Sequence, residues 1–437
     1  MQKIIAAALT IGLATLSPAL AQEKVTVLTS FSKDVTDPFK AMFQAAYPGI
    51  TLDVQNKSTS SGVKYLVETK DNNQVDLFWA SAPDAFDALK GKDLLEEFKP
   101  SVVGLPEKIS SYNVNDPDGK YFGFAASGYG IMWNTRYLEA NDLPAPAEWS
   151  DLARPEYHDH IAIAAPSRSG TTHLTIETIL QGEGWDAGWS TLKAIGGNLQ
   201  QVTERSFGVP DAVNSGMTGI GIVIDFFALS AQGSGFPVEF TYPTVTTVVP
   251  ASIGIVKNSP NKAGAEKFVN FLLSEEGQRI LLDPSIRRLP INPVIYAKAP
   301  EGFPNPFTDP RFQSMLTFSA ETSSSRSAPV DALYDQLITF KLDELKAATK
   351  AMHAVTEALA KSPNDAAAAK LAEARALVAA MPVTAEQAAS AEINGAFTGG
   401  EQKGARQAEL EQQWAAFASK NYTEAKAKAE EALALIK

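Results

Sequence analysis

Apolar and polar positions divide the chain into an alternating first part, two long apolar passages and a uniformly helical end. KVTVLTSFS (24–32) predicts a buried strand ending in a hydroxyl-rich loop, and DPFKAMFQAAYPG (37–49) a helix stopped by Pro48-Gly49. ITLDVQNKS (50–58) predicts the next strand; YLVETKDNNQVDLFWAS (65–81) predicts a helix and then a third strand, Val75–Trp79. Strands and helices alternating at this length imply a mainly parallel sheet covered on both faces, with ligands beyond the carboxyl ends of its strands. Those ends are Thr29-Ser30-Phe31-Ser32, Thr59-Ser60-Ser61-Gly62 and Ala80-Ser81-Ala82, rich in small polar residues.

YFGFAASGYGIMWN (121–134) is too long for one strand in one lobe and predicts a crossover into a second. DHIAIAAPS (159–167) predicts a strand; GNLQQVTERSFGVPDAVNSG (197–216) predicts a strand, a loop and a helix from about Pro210. TGIGIVIDFFALSAQG (218–233) reads as a buried strand running into a helix, and TVTTVVPASIGIVKNSP (244–260) as the return crossover. NKAGAEKFVNFLLSEEGQRILLD (261–283) predicts an amphipathic helix pair. From about Asp331 the chain is rich in Ala, Glu and Lys, broken at Ser362-Pro363-Asn364 and Met381-Pro382, without a sustained heptad. The expected division is lobe 1 in 22–125 and 249–330, lobe 2 in 126–248, and a helical extension or hairpin in 331–437.

A chain of 437 residues exceeds what one core usually supports. The net charge of −12 argues against a nucleic-acid partner, which needs a basic surface, but leaves room for a small anion in a locally positive pocket. With no cysteine, disulfides, thiolate nucleophiles and Cys-held metals are excluded. At the start, Lys3, the apolar run Ile4–Leu16 and Ala19-Leu20-Ala21 have the layout of a secretory signal peptide over residues 1–21. Cleavage before Gln22 and a soluble periplasmic protein are expected.

Motifs for nucleotide cradling, zinc proteolysis or serine hydrolysis are absent. His158-Asp159-His160 has no partner cluster for a metal, and His353 reads as structural. PSRSGTTHLTIE (166–177) gathers two serines, two threonines, a glycine, an arginine and a histidine between Ser167 and His173. Ser169 is placed to cap a helix starting near Gly170, with Gly182 as its stop. A helix start has free N–H groups and a positive dipole end, Gly170 permits close approach, and Ser169, Thr171 and Thr172 add donors. Simple capping and an anion cradle both fit. TERSFGVPDAV (203–213) offers Ser206 and Gly208 before a second helix, and Arg205 either pairs with Glu204 or reaches the ligand. Asp225, at a strand's carboxyl edge, is either a partner for hydroxyls or a helix cap.

Taken as a set, APSRSGTTHLTIETILQGEGWDAGW, ERSFGVPDAV, IGIVIDFF and RRLPINP resemble bacterial extracellular solute-binding proteins of ABC importers, in the branch of ferric-ion, hexose-phosphate, phosphoglycerate and phosphonate binders. The resemblance covers about residues 24–320. It implies an α/β, two-lobed periplasmic-binding-protein type II fold with crossover hinge strands, here with a C-terminal helical extension. It also implies a monomer without catalytic residues, cofactor or resident metal that takes a small phosphorylated ligand to an ABC transporter permease. Ferric binders of this branch use a tyrosine pair where this chain has Phe226-Phe227, and phenylalanine offers no oxygen to a hard cation. Carried over to this sequence, Ser30, Ser81, Ser169, Thr171, Thr172 and Ser206 stand near the phosphate. His173, Glu204 and Asp225 face the organic part; Phe31 and Phe226, read from the residues alone, either pack on its apolar faces or belong to the core. The alternatives are a ferric-iron carrier, a ligand-sensing partner of a membrane kinase, and an extracytoplasmic phosphatase using His173 and Asp225.

Overall fold

The computed structural model describes residues 23–109, 112–313, 315–398 and 403–436; the expected signal peptide lies outside them. Lobe 1 opens with β1 (Glu23–Thr29), α1 (Lys33–Ala46), β2 (Ile50–Asn56), α2 (Thr59–Glu68), β3 (Leu77–Ala80) and α3 (Pro83–Gly91), followed by a hairpin of β4 (Lys108–Ile109) and β5 (Tyr112–Asn113). The chain then crosses on β6 (Phe122–Asn134), buried along its whole length. Lobe 2 contains α4 (Thr135–Ala140), β7 (Ile161–Ala164), α5 (Gly170–Glu183), α6 (Trp185–Gly196), β8 (Leu199–Thr203), α7 (Gly208–Asn214), β9 (Ile220–Ile224), α8 (Asp225–Gly233) and β10 (Val238–Thr241). The return strand β11 (Val248–Ile255) leads back to α9 (Lys262–Leu273), α10 (Glu275–Ile280) and β12 (Leu289–Pro290) in lobe 1. Six helices close the chain: α11 (Ala320–Leu337), α12 (Leu342–Lys361), α13 (Asp365–Ala379), α14 (Ala385–Ala389), α15 (Ala391–Thr398) and α16 (Lys403–Ala434).

The sheet order is β2-β1-β3-β11-β6-β9-β7-β8, with β10 and β12 also on β6. Pairing is parallel within each lobe and antiparallel wherever β6 or β11 takes part, because the crossovers run against the strands they join. β6 pairs with β11 up to Gly128 and with β9 and β10 from Tyr129 onward, so one strand serves both lobes. Flanked on both sides, it admits little at its centre: a Cβ on Gly130 would stand 2.1 Å from the Thr241 carbonyl. Lobe 1 packs on Phe39, Phe43, Trp79 and Phe268. Lobe 2 and the tail share one apolar core, in which Trp149, Ile176 and Trp189 meet Leu333, Trp414 and Tyr422.

Four expected boundaries shift. Thr59-Ser60-Ser61-Gly62 is the first turn of α2 rather than a strand-end loop, because Ser58 Oγ accepts the Ser61 N–H and caps the helix there. β3 correspondingly runs Leu77–Ala80. The tail's first helix begins at Ala320, so position 331 falls inside α11, where tertiary contacts described below hold a serine-rich turn and Pro329 in helical form. Helix α5 continues one residue past Gly182, and Gly184, at φ 88°, terminates it. Among the described residues no helix is long and apolar enough to cross a membrane.

Candidate functional site

A cleft of about 440 Å³, counting its open mouth, lies between the lobes. Lobe 1 contributes Ser30, Phe31, Ser32, Thr59, Ser81 and Arg288; lobe 2 contributes Arg168, Ser169, Gly170, Thr171, Arg205, Ser206, Phe207, Phe226 and Phe227. Ser30–Ser32 follow β1 and Ser81 follows β3, the carboxyl edge anticipated for a parallel sheet. On the facing side Ser169 caps α5, its Oγ accepting the Thr172 N–H at 3.2 Å. The N–H groups of Gly170 and Thr171, in the first turn, have no acceptor within the helix.

The lobes touch at Gly170. A Cβ there would stand 3.0 Å from both Thr59 Cβ and Thr59 Oγ1, and 3.1 Å from Ala82 Cβ, all in lobe 1. Gly170→Ala is therefore expected to disfavour closure by about 1–3 kcal/mol, a roughly 5- to 150-fold loss of affinity. Calorimetric titration checks this; an unchanged dissociation constant would show that the lobes need not meet at Gly170.

Arg288 dominates the electrostatics. It is 1% exposed, yet no carboxylate lies within ion-pair distance among the described residues. Its guanidinium carbon is 3.5 Å from the Phe226 ring centre and 4.3 Å from that of Phe31, so it is sandwiched between the lobes. Nη1 donates to Ser81 Oγ at 3.0 Å, and Nε has no partner. Burial pulls this arginine down to about 9, partly offset by the Asp225 charge; it remains a cation at neutral pH. Two further arginines line the mouth. Arg168 pairs with Glu204, both well exposed, an arrangement worth little in water and easily exchanged for a ligand. Arg205 lies over Phe207 at 5.3 Å, and burial lowers its pKa despite neighbouring Glu204. The cleft thus adds arginine charge to the hydroxyl and helix-start donors anticipated from sequence.

Of the residues anticipated from sequence, Ser30, Phe31, Ser81, Ser169, Gly170, Thr171 and Ser206 come together on the cleft wall. Thr172, His173, Glu204 and Asp225 do not. Thr172 is buried and turns its hydroxyl to Ser169 Oγ at 3.1 Å. His173 is 2% exposed and points away, its Nδ1 on Asp331 at 2.7 Å and Nε2 on Ser323 at 3.0 Å, because α5 has rotated it towards the tail. Burial alone would lower its pKa, but Asp331, Asp84 and Glu177 lift it to about 9. Glu204 faces solvent on Arg168. Asp225 is wholly buried: one oxygen accepts Gly128 N–H (2.7 Å) and Tyr242 O–H (2.9 Å), the other Phe226 N–H (2.7 Å). It ties α8 to the crossover strand, and burial pushes its pKa up to about 6. His160 bonds Tyr137, and His158 and His353 share Asn198. No cluster of three or more His, Asp or Glu fit to hold a metal occurs among the described residues.

Two α/β lobes joined by crossover strands, with a polar, arginine-lined cleft between them, define a type II periplasmic-binding-protein fold. The chain belongs to the family of bacterial extracellular solute-binding proteins, whose family model matches residues 72–302. It is 32% identical over 366 residues to the phosphoglycerate transport regulatory protein PgtC of Salmonella typhimurium, a match spanning 83% of this chain and 86% of that one. That share exceeds what residues 1–319 can supply, so the match runs into the helical tail. AfuA of Actinobacillus pleuropneumoniae, solved with exogenous fructose-6-phosphate bound, superposes with a TM-score of 0.65 at 20% identity, covering 73% of this chain and 99% of its own. Ferric ion-binding protein A of Pasteurella haemolytica gives 0.58 at 16% identity, covering 73% and 98%.

Proposed function

We propose that this protein captures a small phosphorylated organic anion in the interlobe cleft and delivers it to the permease of an ABC importer, as a periplasmic monomer without enzymatic activity. Residues 1–21 act as its signal peptide. We place lobe 1 in 22–125 and from 249 onward, lobe 2 in 126–248, and the tail from Ala320. The observation that carries the ligand class is Arg288, a buried cation with no carboxylate at ion-pair distance among the described residues, in a cleft whose other donors are hydroxyls, helix-start amides, Arg168 and Arg205. A phosphate ester supplies the missing charge and enough oxygens to engage several donors at once. Each hydrogen bond to a charged group contributes about 1.5–3 kcal/mol. Four to six of them cover the roughly 8 kcal/mol of a micromolar complex after ordering costs. The relatives named for phosphoglycerate transport and solved with fructose-6-phosphate agree with this class, and the rings of Phe226 and Phe227 offer no oxygen ligand to ferric ion.

Thermal-shift and calorimetric panels of hexose phosphates, phosphoglycerates, phosphonates, inorganic phosphate and ferric citrate test the reading. Stabilisation by one phosphorylated organic compound, without turnover, is expected; stabilisation by ferric citrate alone would overturn it. A second reading, a ligand sensor reporting to a membrane kinase, is favoured by the transport regulatory relative whose match extends into the tail. Co-purification with a kinase rather than a permease would select it.

A further inference from the structure

Helix α11 lies antiparallel along α5 and is bolted to it by a series of polar pairs. Ser319 exchanges hydrogen bonds with Gln181, its N–H donating to Oε1 at 2.8 Å and its carbonyl accepting from Nε2 at 3.1 Å. Arg326 grips Glu177 with two bonds of 2.9 Å, Asp331 holds His173 Nδ1, and Asp335 lies beside Ser167. Of these partners on α5 and its approach, Ser167 and His173 flank the cleft residues Arg168 to Thr171 in the chain. The same α11 also reaches lobe 1. Ser323 Oγ donates to Asp84 Oδ2 at 3.2 Å, and His173 Nε2 stands 3.5 Å from the same oxygen. Asp84 stands in the first turn of α3, three residues beyond Ser81, the partner of Arg288. A continuous chain Asp331–His173–Ser323–Asp84 therefore joins the tail to both halves of the cleft from behind.

The two ends of that chain differ in strength. The bonds to α5 are numerous and include a bidentate, buried ion pair. The hydrogen-bonded link to lobe 1 rests on one carboxylate oxygen, the other, Oδ1, being buried without a partner among the described residues, beside apolar packing of Phe318 and Ala320 in the cluster that holds Phe86 and Tyr121. Opening the cleft must break one end; the lobe 2 end carries, besides these bonds, the apolar core that the tail shares with lobe 2, so the contact with Asp84 is the one that yields. We propose that α11 is an interlobe latch: the tail rides with lobe 2, and the Ser323–Asp84 contact makes and breaks as the cleft closes and opens. Cleft closure is thereby transmitted to the helical tail, which packs on α11 from its other side, Tyr422 O–H donating to the Leu337 carbonyl at 2.7 Å. The inference rests on the cleft being the ligand site, yet its test needs no ligand.

The cysteine-free chain accepts paired spin labels directly. Labels at Glu68→Cys on lobe 1, Glu139→Cys on lobe 2 and Lys426→Cys on the tail, all exposed positions, give three pairwise distances by pulsed electron resonance in the full chain. With Asp84→Asn, the distances from 68 to 139 and from 68 to 426 are expected to lengthen and broaden together, while 139 to 426 keeps its wild-type distribution. Ser323→Ala, which removes one hydroxyl only, gives the same pattern in smaller measure and decides the question if Asp84→Asn does not fold. Unchanged distances from 68, or a change between 139 and 426, overturn the latch. Either result leaves the assignment of a phosphorylated ligand standing, because that is judged by the ligand panel.

Discussion

Replacing Arg288 with methionine is expected to abolish capture of the phosphorylated ligand and, at the same time, to raise the unfolding temperature of the free protein. The two effects have one origin. Arg288 is 1% exposed, sandwiched between Phe31 and Phe226, and bonded only through Nη1 to Ser81. Removing a cation from water is costly unless an opposite charge compensates, and no carboxylate reaches it among the described residues. The free protein therefore holds this charge at a loss that an anion in the cleft recovers on binding. Methionine fills the aromatic slot without charge, so the free protein gains about 1 kcal/mol or more. The complex loses about 3–5 kcal/mol, roughly two to three and a half decades in Kd. Lysine is the informative companion, since it keeps the charge but loses the planar fork and the stacking on both rings. Arg288→Lys should bind, but more weakly than wild type. Calorimetry with the ligand found in the panel, and melting curves with and without it, read both effects. Binding by Arg288→Met within a few-fold of wild type, or a lowered melting temperature of its free form, would remove Arg288 from the centre of the site.

How far the site can be read from sequence follows from the range of the interactions that build it. Ser30, Ser81 and Ser169–Thr171 are legible because a strand followed by small polar residues and a helix start is a local pattern, and locality survives without the fold. The crossovers β6 and β11 are legible because their apolar runs exceed what one lobe needs. Arg288 is not. In RRLPINP two arginines stand side by side, and only folding decides that Arg287 stays half-buried over Phe303 while Arg288 meets Ser81, 207 positions away. His173 misleads for the opposite reason. It belongs to a donor-rich stretch, but α5 turns it away from its neighbours onto Asp331, 158 positions downstream. The tail's helicity is plain in its Ala, Glu and Lys, whereas its docking is invisible. The stretch AETSSSRSAPV has weak helix propensity, and it folds as α11 because Ser323 and Arg326 find buried partners on another helix.

That docking has a second large consequence, at the Glu177–Arg326 pair. Glu177 is 0% exposed and Arg326 nearly so, with two parallel bonds of 2.9 Å and the guanidinium carbon 5.0 Å from the Trp185 ring centre. Arg326→Met leaves a carboxylate sealed between α5 and α11 with Gln181 Nε2 its remaining donor, at 3.1 Å. Breaking a buried pair from one side costs about 3–5 kcal/mol, because the surviving charge stays desolvated. Glu177→Leu strands the guanidinium in the same way. The double variant Glu177→Leu, Arg326→Met removes both charges and substitutes apolar volume, so it is expected to recover most of the loss. Urea unfolding of the four proteins, followed at the tail by a fluorophore on Lys426→Cys of the cysteine-free chain and across the chain by circular dichroism, measures the cycle. In each single variant the tail signal should melt ahead of the rest, since α11 is what fastens it. If both singles stay within about 1 kcal/mol of wild type, well below the cost of an orphaned buried charge, the pair does not fasten the tail, and the apolar core shared through Leu333, Trp414 and Tyr422 does so alone.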